Sequence, residues 1–226
     1  MPEPMPTVAP LEAGGAALLI PRMVPVPGGR LEVSAASGAA RTLEISAFQL
    51  GQKPVTNREY ASFLAAGRAA APPWWNDPNF SAPGQPVVGV TWHDAAAFCA
   101  WLSEIAGGRW RLPTEAEWEH AACGGLASPR TAWGETIPPV EIPEGPLSGP
   151  WEAGLGTPNG YGLYDMGTIV HEWCANPHGP DPRRRASRGG SWRHRIRWSS
   201  PTAASSLPPG YRYSDYGFRV LRELDG

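Results

Sequence analysis

The sequence predicts an α+β fold: a single compact domain in which strands come first, short helices follow, and a long loop-rich β region closes the chain. Three observations predict it. Helical signals are confined to residues 56–124. No alternation of strand and helix of the kind that builds a parallel sheet runs through the chain. Finally, 27 Gly and 27 Pro among 226 residues stand beside 11 Trp and a 42% hydrophobic content. Gly and Pro interrupt regular elements, whereas that much apolar surface can offset the entropy of ordering. The expected compromise is an ordered domain, low in regular secondary structure, whose loops are pinned by tryptophan. By length the chain holds one large domain or two small ones, with enough residues for a substantial core.

Residues 1–21 are expected to be a mobile N-terminal arm, and 22–226 the domain. "MVPVPGGRLEVS" (23–34) reads as a strand or hairpin around its Gly-Gly pair, and "RTLEISAFQLGQKPVT" (41–56) as another strand with Leu43, Ile45 and Phe48 as its apolar members. Three helix starts are well marked. Thr56-x-x-Glu59, Thr91-x-x-Asp94 and Thr114-x-x-Glu117 are capping boxes, and Gly67, Gly107 and Gly124 are the expected stops. In the second helix Phe98, Trp101, Leu102 and Ile105 follow i, i+3, i+4, i+7 and define one buried face. Glu115 and Glu117 sit in the first turn of the third, where the helix dipole favours them; with Glu119 they read as a solvated or capping face. After residue 124 the pattern turns to short β-like pieces: "GLYDM", "VHEWCA", "RRRASRGGSWR" and a terminal strand "YGFRVLRE".

Charge and composition exclude several function classes. A net charge of −2 gives no pull toward nucleic acid or anionic membrane. No apolar run is long enough to span a bilayer, and the N-terminus lacks a basic signal-peptide start, so a cytoplasmic location is expected. Cys99, Cys123 and Cys174 are too few and too dispersed for a disulfide framework and are expected to be buried thiols.

Three stretches carry candidate chemistry. "HEWCANPHG" (171–179) concentrates His171, Glu172, Cys174 and His178, residue types that suit zinc or copper. "NGYGLYDM" offers Asn159 and Asp165 as oxygen ligands for a hard cation, or as turn formers bonding backbone. "SRGGSWRHRIRW" (187–198) is the one basic concentration, with Arg188, Arg193, Arg195 and Arg197; here His194 is a candidate general base or ligand. No Walker loop, dinucleotide fingerprint or nucleophile elbow is present.

Taken in order, "VPVPGG", "KPVTNREYASFL", "PVVGVTWHDAAAFCAWLSE", "RLPTEAEWEHAACGG", "NGYGLYDM…VHEW", "RGGSW" and "YGFRV" resemble the formylglycine-generating enzyme, or sulfatase-modifying factor, family across roughly residues 22–224. The resemblance implies a C-type-lectin-like fold. It leaves function open, because the family is mixed: copper enzymes that oxidise a sulfatase cysteine, sulfoxide synthases with iron held by histidines, siderophore-maturing relatives, variable ligand-binding proteins, and inactive members. In the copper enzymes two cysteines follow the RGGS-aromatic motif. Here that stretch has none, and, counted without gaps from Trp192, His194 and Ser199 fall where the thiols would be. Copper(I) prefers soft thiolates, so copper is not expected. Where the family pattern before "VHEW" is Gly-Asn, this chain has Thr168-Ile169, so calcium is not expected either. "VHEW" itself then reads as a structural motif, with Trp173 in the core, and Glu172 and His171 bonding nearby backbone.

The resulting expectation is a binding, accessory or maturation factor without copper-dependent formylglycine activity. The alternative is an oxidoreductase using non-cysteine residues. No cofactor is expected, and the partner is an unspecified protein, peptide or small molecule. The expected working surface is residues 193–216, as a groove with Arg193, His194, Trp198 and Ser199 on one side and Tyr211 or Tyr213 on the other; Arg212 and Asp215 lie in the same segment.

Overall fold

The computed structural model describes residues 12–13, 16–34, 40–136, 147–194 and 200–224. The elements in order are β1 (Glu12–Ala13), β2 (Ala16–Ala17), β3 (Met23–Val26), β4 (Gly29–Ser34), β5 (Ala40–Ile45), β6 (Phe48–Gly51), α1 (Asn57–Ala65), α2 (Trp92–Ala106), β7 (Trp110–Arg111), α3 (Glu115–Cys123), β8 (His171–Trp173), β9 (Arg185–Arg188), β10 (Ala204–Leu207), β11 (Tyr216–Gly217) and β12 (Leu221–Glu223). The expected α+β class is what the chain adopts. All three capping boxes form: Thr56, Thr91 and Thr114 each accept from the backbone three residues on, and Glu59, Asp94 and Glu117 reach back to the cap. Gly124 closes α3 in the left-handed conformation at φ 60°.

Two sheets organise the domain. One runs β3-β6-β12-β7 and is antiparallel throughout; the other runs β10-β9-β8-β11, with β11 parallel to β8. The 23–34 stretch is not the hairpin that its Gly-Gly pair suggests. β3 pairs with β6, while β4 pairs with β5 as a separate ribbon. At Gly28, between the two strands, the chain passes so close to β5 that a Cβ would lie 2.8 Å from the Ile45 carbonyl oxygen. The 41–56 stretch likewise divides at Ser46–Ala47 into strands of two sheets, and the terminal "YGFRVLRE" divides into β11 and β12. "GLYDM" is turn, with Asp165 at φ 59°, and not strand.

Three apolar clusters fill the interior. The largest joins α1 and α2 to Trp110, Trp173, Phe218 and Val220; Leu18 and Ile20, within the expected arm, pack against it. A second joins Trp118 of α3 to Phe48, Leu50, Leu163 and Cys174. A third holds Phe80, Trp151, Ile169, Val170 and Trp192 beneath the RGGSW turn. Trp118 and Trp173 are fully buried, as expected of core residues.

At the centre lies an ion pair with no exposure. Arg219 donates from Nε and Nη2 to the two oxygens of Glu172, at 2.8 and 2.9 Å. Trp118 Nε1 donates to Glu172 Oε2 at 2.7 Å, and the remaining Arg219 donors reach the carbonyls of Gly51, Gln52 and Tyr164. Glu172 therefore bonds side chains, not the nearby backbone that the sequence suggested. A second pair involves α3: Arg188 bridges Glu115 and Glu119, and Glu119 is buried, not part of a solvated face.

Candidate functional site

The site is assembled where three chain segments meet at one edge of the β10-β9-β8-β11 sheet. β8 contributes His171. The turn after β9 contributes Ser191, Trp192, Arg193 and His194. The loop entering β11 contributes Tyr213, Ser214, Asp215 and Tyr216. The parallel pairing of β8 with β11 sets the meeting point, because the His171 N–H donates to the Asp215 carbonyl at 2.9 Å. The RGGSW turn must be glycine at its second position. Gly189 has φ 77°, and a Cβ there would lie 2.7 Å from Gly167 Cα and 3.2 Å from the Trp118 ring. That tight passage carries the chain over the third apolar cluster. Trp192 is clamped there by its N–H to the Ile169 carbonyl and its indole to the Ser214 carbonyl.

Asp215 is the hub of the polar contacts. Ser191 Oγ donates to its Oδ2 at 3.1 Å, Arg193 Nε lies 3.6 Å away, and His171 Nε2 lies at 4.0 Å. Arg193 is half-exposed, stacks at 4.7 Å over the Trp192 ring and donates to Ser214 Oγ at 2.6 Å. The two histidine rings are edge to face, with centroids 5.3 Å apart. His171 Nδ1 bonds the Gly189 carbonyl at 2.7 Å, and the Ser191 N–H donates to His194 Nδ1 at 3.2 Å. Burial pushes His171 below the ordinary imidazole range; His194 acts in the same direction, against the opposing pull of Asp215 and the Gly189 carbonyl. A ladder of rings leads outward: Tyr216 at 4.8 Å from His171, Tyr213 at 5.5 Å from Tyr216, and Tyr211 at 6.0 Å from Tyr213. The last two are exposed.

Of the residues expected here from sequence, Arg193, His194 and Tyr213 meet around Asp215 and His171, and Tyr211 ends the ladder. Trp198 and Ser199 lie outside the described residues, as do Arg195 and Arg197. Ser191 and Tyr216 are not among the sequence candidates, and the sequence offers His171 as a metal ligand with Cys174 and His178 or as an architectural residue, not as part of this site. A serine inside a glycine turn and a tyrosine beginning a core strand carry no local sign of their surroundings. The one available signal was His171 itself, a half-polar residue at a strand position flanked by core residues. Asn159 is a turn former: its Oδ1 accepts from Tyr161 and Leu163 N–H, and its amide donates to the carbonyls ending α3.

The grouping of His171, Cys174 and His178 is taken apart by the fold. Cys174, the residue after β8, packs beside Trp118 and Leu163 and points its thiol at the Glu172 carbonyl. His178 bonds Glu115. Among the described residues no group of three His, Cys, Asp or Glu side chains is placed to hold a metal ion, and no helix is long and apolar enough to cross a membrane.

The sulfatase-modifying factor enzyme 1-like domain family matches residues 12–224 of this chain. The chain belongs to that family. A formylglycine-generating enzyme of Streptomyces coelicolor is 29% identical, over 99% of this chain and 94% of its own length. A mouse protein called inactive C-alpha-formylglycine-generating enzyme 2 is 30% identical, over 76% of this chain and 74% of its own. Among solved structures, PvdO from Pseudomonas aeruginosa superposes with a TM-score of 0.76 at 25% identity, covering 90% of this chain and 95% of that one. The family thus includes proteins named as active and as inactive, and the side chains of each member's own cleft must decide.

Proposed function

We propose that this chain is a family member that works without copper-dependent thiol oxidation, and that the cleft around Asp215, His171 and His194 engages a protein, peptide or small-molecule partner. The observation that supports this reading is the fate of the cysteines. All three are buried. Cys99 sits on the core face of α2, Cys123 at the end of α3, and Cys174 just after β8 in the cluster around Trp118. Burial pushes the Cys123 thiol up to about 11, and burial raises the Cys99 and Cys174 thiols as well. Soft, accessible thiolates are what selects copper(I). The site offers imidazole, carboxylate, hydroxyl and guanidinium, with no thiolate among them.

Calcium fits no better at the turn before β8. Ile169 is wholly in the core. Asp165, the one carboxylate of the turn, gives Oδ2 to the Gly154 N–H at 2.6 Å; its Oδ1 and Thr168 Oγ1 are buried without hydrogen-bond partners, but two oxygens fall short of the six to eight that calcium takes. The mouse relative named as inactive, similar over three quarters of this chain, shows that the scaffold is used without the reaction elsewhere in the family.

The test supplies the purified chain with Cu(I) and a Cys-x-Pro-x-Arg peptide, and follows the thiol by mass spectrometry. Thiol loss at the rate of a protein-free control is expected. Formylglycine formed well above that control overturns the reading.

A further inference from the structure

The two histidines at this edge of the sheet are held by backbone groups of opposite polarity. A carbonyl oxygen only accepts, so the 2.7 Å contact of His171 Nδ1 with the Gly189 carbonyl places the ring proton on Nδ1 and leaves Nε2 with a free lone pair. A backbone N–H only donates, so the Ser191 contact places a lone pair on His194 Nδ1 and the proton of the neutral ring on Nε2. One ring offers a base and its neighbour, 5.3 Å away between centroids, offers a donor.

We propose that this pair is an acid–base site for proton transfer at carbon, with His171 as the base, His194 as the hydrogen-bond donor, and a small carbonyl or imine compound bearing an acidic C–H as the substrate class. The proposal rests on the reading above only in taking this cleft as the working surface.

The step balances within the site. His171 Nε2 takes the proton from carbon. The C–H electron pair becomes the new C=C bond, and the carbonyl π pair moves to oxygen, where the His194 Nε2–H stabilises the developing charge without giving up its proton. A neutral imidazole in that role is established chemistry. The imidazolium of His171 then returns its proton, to the same carbon from the other side of a turned substrate or to the next carbon of a conjugated one. The result is an epimerisation or a shifted double bond, with no oxidant or second reactant.

The groups facing His171 suit the cycle. Asp215, 4.0 Å from Nε2, faces the imidazolium while it exists, and Ser191 Oγ and Arg193 Nε lie 3.1 and 3.6 Å from the same Asp215 oxygen and fix its position. Burial, with His194 beside it, keeps His171 neutral before the step. Tyr216 stacks against the ring and fixes its plane. Asp215 is a positioning residue.

Two measurements on the full chain test this, both with a chelator present so that their outcome is independent of copper. Long-range proton–nitrogen spectra of the histidine side chains at neutral pH should show His171 neutral with its proton on Nδ1, and His194 with its proton on Nε2. The probe for carbon deprotonation is nitrobenzisoxazole, whose ring C–H is removed by a general base as the N–O bond opens to a coloured phenolate. Its turnover should rise with pH through one inflection below 6.5. It should fall about tenfold or more in His171→Gln and stay unchanged in His178→Gln, whose imidazole is committed to Glu115. The opposite tautomers, or a folded His171→Gln chain that turns over the probe as fast as the parent, overturn the proposal. Failure here leaves the copper reading standing, and formylglycine in the copper experiment leaves this one standing.

Discussion

The two faces of β8 behave as different materials. On one face Glu172 is wholly buried, and both its oxygens are engaged by Arg219 and Trp118. On the other, one residue away, His171 uses one ring nitrogen on the Gly189 carbonyl and leaves the other 4.0 Å from Asp215. The alternation of a strand puts adjacent residues on opposite sides; Trp173, on His171's side and also against Tyr216, is wholly buried, so only the His171 end of that face is open. Buried polar groups that are fully partnered rigidify a core. A group with a free lone pair at a half-open edge can act on something else. The comparison teaches that the "VHEW" motif is structural at Glu172 and Trp173, while its histidine belongs to the cleft.

Breaking the buried face should have the largest effect. Arg219→Ala leaves Glu172 as an uncompensated buried charge and is expected to cost about 3–5 kcal/mol in denaturant unfolding. Trp118→Ala, which removes a fully buried ring and the donor to Glu172, is expected to cost a similar ~3–5 kcal/mol. An unchanged midpoint for either would show that the buried network is not what holds the sheets together.

A smaller, pH-dependent effect sharpens the contrast from a neighbouring turn. Asp165 is buried, its Oδ1 has no hydrogen-bond partner, and burial pushes its carboxyl up to about 6. A raised folded-state value means that its contribution is fully present below the unfolded value near 3.8 and is lost as pH rises through about 6. His171 has the opposite sign: its folded value is lowered, so its contribution is present above 6.5 and is lost as pH falls. The parent's melting temperature should therefore fall relative to that of Asp165→Asn as pH rises from about 4 to 7, because only the parent must ionise a buried carboxyl. A parent that instead gains on the variant as pH rises would assign Asp165 a charged partner. The smallest effect expected is none: with Ile169 in the core, millimolar calcium or a chelator should leave the melting temperature where it is. A chelator-induced drop of several degrees would show oxygen ligands bound to the native state.

Local chemistry was legible and pairing was not. The three threonine caps and their acidic partners lie within one turn of chain, so Thr56, Thr91 and Thr114 declare their helices without help from the rest of the fold. Strand partners are chosen by tertiary contacts. Nothing within 23–34 says that Met23–Val26 belongs with Phe48–Gly51, or that Gly29–Ser34 belongs with Ala40–Ile45. The same limit applies to the site. The segment after RGGSW is singled out in the sequence by the family resemblance, and Trp192, Arg193 and His194 mark it. That Ser191 would meet Asp215, and His171 both Gly189 and Tyr216, depends on the parallel β8–β11 pairing, which joins residues more than forty positions apart.

The account's central claim is that adjacent residues of β8 serve different ends, and unfolding of Glu172→Gln beside His171→Gln tests it most directly. Glu172→Gln is expected to cost about 3–5 kcal/mol by stranding the Arg219 charge, and His171→Gln about 1 kcal/mol, one hydrogen bond at a half-open edge. Equal losses from the two variants would contradict the division, and would make His171 as much a part of the frame as Glu172.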